Sequence, residues 1–180
     1  GEVLQRAGGT PGNLPGGERF TAVQTGTIDA TEWVGPYKDL AFGLHKAAKY
    51  YYYPGWHEPG TVLEGMLNKQ AFEALPQDLQ DIVMVATRAA NQDMMDELTY
   101  RNALALKELV EEHGTELREL PADVYQALRT ISDEVVYEEA QKDELSKRIY
   151  DSFIKFRDLS EEYQKISEYA YLHGRMMTSK

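Results

Sequence analysis

The chain contains no cysteine. That excludes a disulfide scaffold, a thiolate nucleophile and a Cys-type zinc site, and it leaves the redox compartment open. No apolar run approaches the ~20 residues needed to span a bilayer as a helix. The opening GEVLQRAGG shows no signal-peptide pattern and reads as an internal stretch. Basic residues are scarce: 19 Lys and Arg stand against 30 Asp and Glu, for a net charge of −11. Such a balance disfavours nucleic acid, which needs a basic stripe to meet phosphates, and an anionic membrane surface. It leaves room for a small anionic ligand, because a local field can differ from the bulk charge. None of His45, His57, His113 and His173 lies three or four residues from another, so a helical zinc-binding pair is absent. No serine sits in a nucleophile elbow. GGTPGNLPGG is too irregular for a phosphate loop, and its prolines remove needed N–H donors. With no catalytic constellation present, the chain reads as a non-enzyme.

What is present divides into two characters. The apolar fraction of 42% over 180 residues suits a folded domain with a sizeable core. Residues 1–65 hold most of the glycines and prolines and both tryptophans, and read as short elements joined by turns. The remainder is rich in Glu, Lys, Leu and Ala and reads as long helices. Short helices are expected over Glu2–Ala7 and Glu18–Thr25, and a turn over Leu14–Gly17. The β-branched alternation of Thr27–Trp33 predicts a strand. Pro36 opens a helix to about Ala48, and Lys49–Tyr53 forms a tyrosine-rich strand. Val62–Leu67 is a further strand candidate. Asn68 caps a short helix over Lys69–Ala74. A long helix runs from Gln77 to about Glu112, closed by Gly114, with a short strand over Thr115–Leu120. From Ala122 to His173 there is neither proline nor glycine. An unbroken helix of about 50 residues would be about 75 Å long. It therefore breaks, around Glu138–Glu144, or leaves the domain to pack on a second copy. The working boundaries are 1–65, 66–120 and 121–180.

Two stretches bear on function. IDATEWVGPYKD (28–39) puts Glu32 beside Trp33 at a predicted strand end, ahead of a Pro-initiated helix. Open α/β sheets bind ligands there, and Glu32 could offer an oxygen to a hard cation. A buried Trp bracing a turn explains the residues equally well, so both readings stand. In Tyr50–Tyr53 a strand would send alternate rings to opposite faces, either as sheet core or as a cleft lining. His57 shapes its Gly/Pro-flanked loop or touches a ligand, and His113 sits at a helix C-terminus, where a His suits the helix dipole.

The stretch LPGGERFTAVQTGTIDATEWVGPYKDLAFGLHKAAKYYYYPGWHEPG, residues 14–60, closely resembles the solute-binding proteins of TRAP (tripartite ATP-independent periplasmic) transporters. The nearest branch is the one that binds α-keto acids and related small carboxylates, and LNKQAFEALPQDLQDIV and the terminal helices fit more loosely. The resemblance implies a periplasmic protein that binds an organic acid between two α/β lobes and delivers it to membrane permease subunits. It implies an α/β, predominantly helical fold: the C-terminal lobe of a periplasmic-binding-protein-like fold plus long C-terminal helices, truncated and open to rearrangement. It also implies sodium or another hard cation beside the substrate carboxylate. By motif position Glu32, Trp33 (through its backbone carbonyl) and Glu58 match the metal site, and Tyr37 joins them as ligand-binding. A homodimer exchanging C-terminal helices is expected. Family members are nearly twice this long, so the first lobe and the arginine that clamps the carboxylate are expected to fall outside this chain. The rival reading is a helical scaffold protein, an intertwined dimer with no small-molecule role.

Overall fold

In the computed structural model, which describes residues 1–58, 60 and 64–178, ten α-helices and β-strands follow one another. They are α1 (Glu2–Arg6), α2 (Gly16–Gln24), α3 (Pro36–Ala41), β1 (Tyr50–Tyr53), α4 (Lys69–Glu73), α5 (Gln77–Glu111), β2 (Glu116–Glu119), α6 (Ala122–Ala140), α7 (Glu144–Ile166) and α8 (Glu168–Thr178). Their contacts divide the chain into two units, residues 12–125 and residues 1–11 with 126–180.

In the first unit β1 and β2 pair in parallel, with Tyr50 opposite Glu116 and Tyr53 opposite Glu119. Parallel neighbours need a long crossover, and α4 and α5 supply it. The Asn68 side chain accepts the Ala71 N–H at 3.0 Å and caps α4. Helix α5 packs on α3 and buries Ala105 and Leu109, the latter at 1% exposure.

Three expectations for this unit are overturned. Thr27–Trp33 is irregular and not a strand. A strand needs a neighbour for its N–H groups, and here the Thr27 and Ile28 amides turn back to the Ala22 carbonyl of α2, at 2.9 and 3.2 Å. The helix from Pro36 stops at Ala41, not Ala48. Gly43, at φ 71°, takes the left-handed conformation that glycine tolerates best, and a single 3₁₀ turn, Leu44–Lys46, follows. The expected turn over Leu14–Gly17 gives way at Gly16 to the first residue of α2. Val62 and Leu63, the first two of the six residues of the third strand candidate, lie outside the described residues, and Glu64–Leu67 is irregular.

In the second unit the long terminal segment breaks after Ala140, within the polar stretch. Asp143 then caps α7, accepting the Ser146 N–H and hydroxyl, each at 2.8 Å. Helix α6 buries Leu128, Val135 and Ala140. Arg157 of α7 reaches Asp133 of α6 at 3.3 Å, and Tyr137 meets Tyr150 edge-on at 5.9 Å. Arg6 of α1 makes a two-pronged bond to Glu138, at 2.9 and 2.6 Å. Yet Leu145, Ile149, Phe153, Phe156, Tyr163 and Ile166, a stripe at helical spacing on α7, are all exposed. A second interruption, at Ser167, separates α7 from α8.

Because Leu109 is, among the described residues, the one large side chain with almost no exposure, Leu109→Ala should destabilise the chain by about 2–5 kcal/mol, the usual cost of such a cavity. Urea unfolding followed by circular dichroism measures the shift. A change below about 0.5 kcal/mol, typical of a surface position, would contradict the assigned core.

Candidate functional site

Asp39 anchors the segment that carries Glu32 and Trp33. It is 8% exposed. One carboxylate oxygen accepts the N–H groups of Val34 and Gly35, at 3.3 and 3.4 Å, and the other accepts the Tyr51 hydroxyl at 2.6 Å. The amide contacts resemble the way an acid in the first turn of a helix reaches back to the capping N–H. Asn102 of α5 adds a second pin, accepting the Tyr37 N–H at 3.0 Å. Burial pushes the Asp39 carboxyl above its ordinary value, against the opposing pull of the Tyr51 hydroxyl and the two amides. Burial and then the Asp39 hydrogen bond push the Tyr51 hydroxyl up. Of the four strand tyrosines, Tyr51 alone is half-buried, while Tyr50, Tyr52 and Tyr53 are exposed.

Trp33 packs its ring on Phe42, centroids 4.9 Å apart. The ring also lies against Gly16: a Cβ there would stand 2.9 Å from it, so a larger residue would force the Trp33 ring to shift. Arg19 of α2 completes the enclosure. Its guanidinium lies over the Trp33 ring at 5.0 Å, and its Nε donates to the Leu14 carbonyl at 3.2 Å. Its Nη1 donates to the Glu32 backbone carbonyl and, at 3.1 Å, to Glu32 Oε1.

Strand β1 leads to the loop bearing Trp56, His57 and Glu58, where the Trp56 and His57 rings meet at 4.7 Å. The loop delivers its polar groups to Glu32: His57 Nε2 lies 3.8 Å from Glu32 Oε2. One ligand atom each from Glu32, His57 and Glu58 lie within 4.8 Å of one another, all on exposed side chains. Two oxygens bound to one calcium at about 2.4 Å each can stand about 4.8 Å apart, so the spacing suits a hard cation. Tyr37 is engaged elsewhere, with its ring under Arg101 at 5.3 Å and Lys38 at 4.8 Å.

The fold thus brings Glu32, Glu58 and His57 together, and packs the Trp33 ring behind them. Arg19, Asp39 and Asn102 escaped the sequence reading. Arg19 did leave a signal, as the single basic residue between Arg6 and Lys38. Outside this cluster, His113 stacks on His45 with centroids 4.2 Å apart, and burial, followed by the His113 and Lys46 charges, lowers His45.

The family of bacterial extracellular solute-binding proteins known as family 7 matches residues 1–143, and the chain belongs to it. The protein is periplasmic, as the relatives it matches are named. It is 40% identical over 171 residues to a monocarboxylate 2-oxoacid-binding periplasmic protein of Nostoc sp., covering 95% of this chain and 47% of that one. Two solved structures are similar throughout. A TRAP periplasmic solute-binding protein from Colwellia psychrerythraea, with bound calcium and pyruvate, superposes with a TM-score of 0.92 at 40% identity, over 97% of this chain and 53% of that one. One from Pseudoalteromonas atlantica, with bound sodium and pyruvate, gives 0.89 at 41% identity, over 96% and 53%. A third, from Bordetella bronchiseptica, is a mixed-occupancy dimer with copurified calcium and picolinate in one active site, at a TM-score of 0.90 and 33% identity, over 97% and 52%. The chain spans about half the length of these relatives.

The buried Asp39 carboxyl makes stability depend on pH. Between its ordinary value of 3.8 and its raised folded value, the folded chain binds the extra proton. Its contribution to stability therefore falls as pH rises through that window. Unfolding free energies measured from pH 4 upward should show the parent losing stability relative to Asp39→Asn. Parallel curves for the two proteins would contradict the assignment.

Proposed function

We propose that this chain supplies the cation-holding half of a periplasmic binding site for a small 2-oxo monocarboxylate, in a TRAP-type uptake system. Glu32 and Glu58 hold the cation, calcium or sodium, with the Trp33 backbone carbonyl as a further donor. Tyr37 is assigned to the ligand by motif position alone, since its ring is engaged with Arg101 and Lys38. The observation that carries the reading is the meeting of Glu32 with Glu58, 26 positions apart in the sequence, at a spacing suited to one hard ion. The relatives' ligands support it chemically. Pyruvate offers a carboxylate oxygen and a keto oxygen one carbon away; picolinate offers a carboxylate oxygen and a ring nitrogen in the same relation. Either pair closes a five-membered chelate on one cation. The ligand therefore binds through the metal as well as through the protein, and needs no catalytic group. The role is binding and delivery to membrane permease subunits, not catalysis.

The same reading includes a homodimer formed through the C-terminal helices. It is supported by the α7 stripe, where Phe156 is 71% and Ile166 78% exposed. Contiguous apolar surface of this kind ordinarily marks an interface. Sedimentation equilibrium at micromolar concentration should give a dimer. Phe153→Asp combined with Phe156→Asp should shift it to monomer, and a parent chain that is already a clean monomer would remove the dimer from the account.

The binding claim is tested by calorimetric titration of pyruvate into the chain with and without calcium. In buffer free of sodium, heat of binding should appear only with calcium present. Glu58→Gln should weaken calcium binding by about tenfold, about 1.4 kcal/mol. Pyruvate binding that ignores calcium, or calcium binding that ignores Glu58→Gln, would overturn the assignment.

A further inference from the structure

We propose that Arg19 sets the charge of the cation this site prefers, weakening divalent ions more than monovalent ones. The inference rests on the reading of Glu32 and Glu58 as cation ligands. Arg19 is not a roaming surface side chain: it is 18% exposed. Its Nε is tied to the Leu14 carbonyl, its Nη1 to both the carbonyl and Oε1 of Glu32, and its plane lies over Trp33. A guanidinium keeps its charge at any accessible pH. The site therefore contains a permanent positive charge fixed against one of its two carboxylates.

Two consequences follow. First, with Oε1 occupied by Arg19, Glu32 presents Oε2, the oxygen that faces His57 Nε2 at 3.8 Å. It then ligates through one oxygen, whereas calcium readily takes a carboxylate through both. Second, Arg19 repels any bound cation. Coulomb repulsion scales with the ion's charge, so calcium loses twice the free energy that sodium does. In formal charge, Glu32, Glu58 and Arg19 sum to −1, where the carboxylates alone would give −2. A bound monocarboxylate is drawn to the same guanidinium that repels its metal. Arg19 thus moves binding strength from a divalent ion toward a monovalent ion and the anionic ligand.

The test is to titrate calcium and sodium into the full chain at constant ionic strength, comparing the parent with Arg19→Gln and Arg19→Lys. Because the repulsion scales with ionic charge, Arg19→Gln should tighten calcium about tenfold and sodium about threefold, the first gain being the square of the second. Arg19→Lys keeps the charge and should leave both affinities within about twofold of the parent. If Arg19→Gln loses the helical circular dichroism of the parent, Arg19→Met, whose stem still packs on Trp33, carries the same expectation. The proposal fails if the neutral variant leaves calcium binding unchanged or weaker, or gains equally for both ions. It also fails if Arg19→Lys gains as much as Arg19→Gln, because charge would then not be the cause. A parent that binds calcium, and loses it on Glu58→Gln, yet ignores Arg19→Gln overturns this inference alone. A parent that takes up neither ion overturns the cation site and this inference with it.

Discussion

The hydrogen bond from Tyr51 to Asp39 is the constraint on which the candidate site depends. Asp39 holds the Val34 and Gly35 amides, and so fixes the exit of the segment that carries Glu32 and Trp33. Tyr51 belongs to β1, the strand that runs into the loop carrying His57 and Glu58. The bond therefore couples the two segments whose carboxylates converge. A buried carboxylate is tolerable only when its oxygens are satisfied, and here a phenol and two amides do that. The remaining supports act on one side of this joint: Asn102 on the start of α3, Gly16 and Phe42 on the Trp33 ring, Arg19 on Glu32.

What was legible in the sequence was what local chemistry decides. Asn68 caps α4, Pro36 opens α3, and the polar stretch after Glu138 breaks the terminal helix, because caps and breakers act on their immediate neighbours. The strand expected at Thr27–Trp33 failed for the opposite reason. Its β-branched pattern is real, but a strand exists only beside another, and here α2 captures the amides first. Gly43 could have been read as the stop for α3, since glycine favours helix ends. The site divides the same way. Glu32, Trp33 and Glu58 came from the motif and its family resemblance. Arg19, Asp39 and Tyr51 act through contacts across 12 or 13 positions of chain, which no local period reveals. Tyr37 stood out as a member of the motif, and the fold turns its ring toward Arg101 and Lys38.

The buried apolar set among the described residues is small, namely Ala22, Ala105, Leu109, Leu128, Val135 and Ala140, against a long series of exposed Leu, Ile, Met, Phe and Tyr. A soluble protein rarely leaves so much apolar surface to water. The half-length match to the relatives gives this surface a natural account: in them, roughly another half of the chain is available to cover it. The α7 stripe differs in kind, being regular along one helix, as expected of a surface made for another helix.

The proposed site puts a hard cation between Glu32 and Glu58, in the two segments that also carry Trp33 and Trp56. Terbium reports this directly, since it replaces calcium and emits only when a nearby indole transfers excitation to it. Terbium added to the chain under tryptophan excitation should give green sensitised emission that excess calcium quenches, that Glu58→Gln shifts to about tenfold higher terbium, and that Trp33→Phe combined with Trp56→Phe abolishes. Absence of sensitised emission, or emission indifferent to Glu58→Gln, would contradict the account.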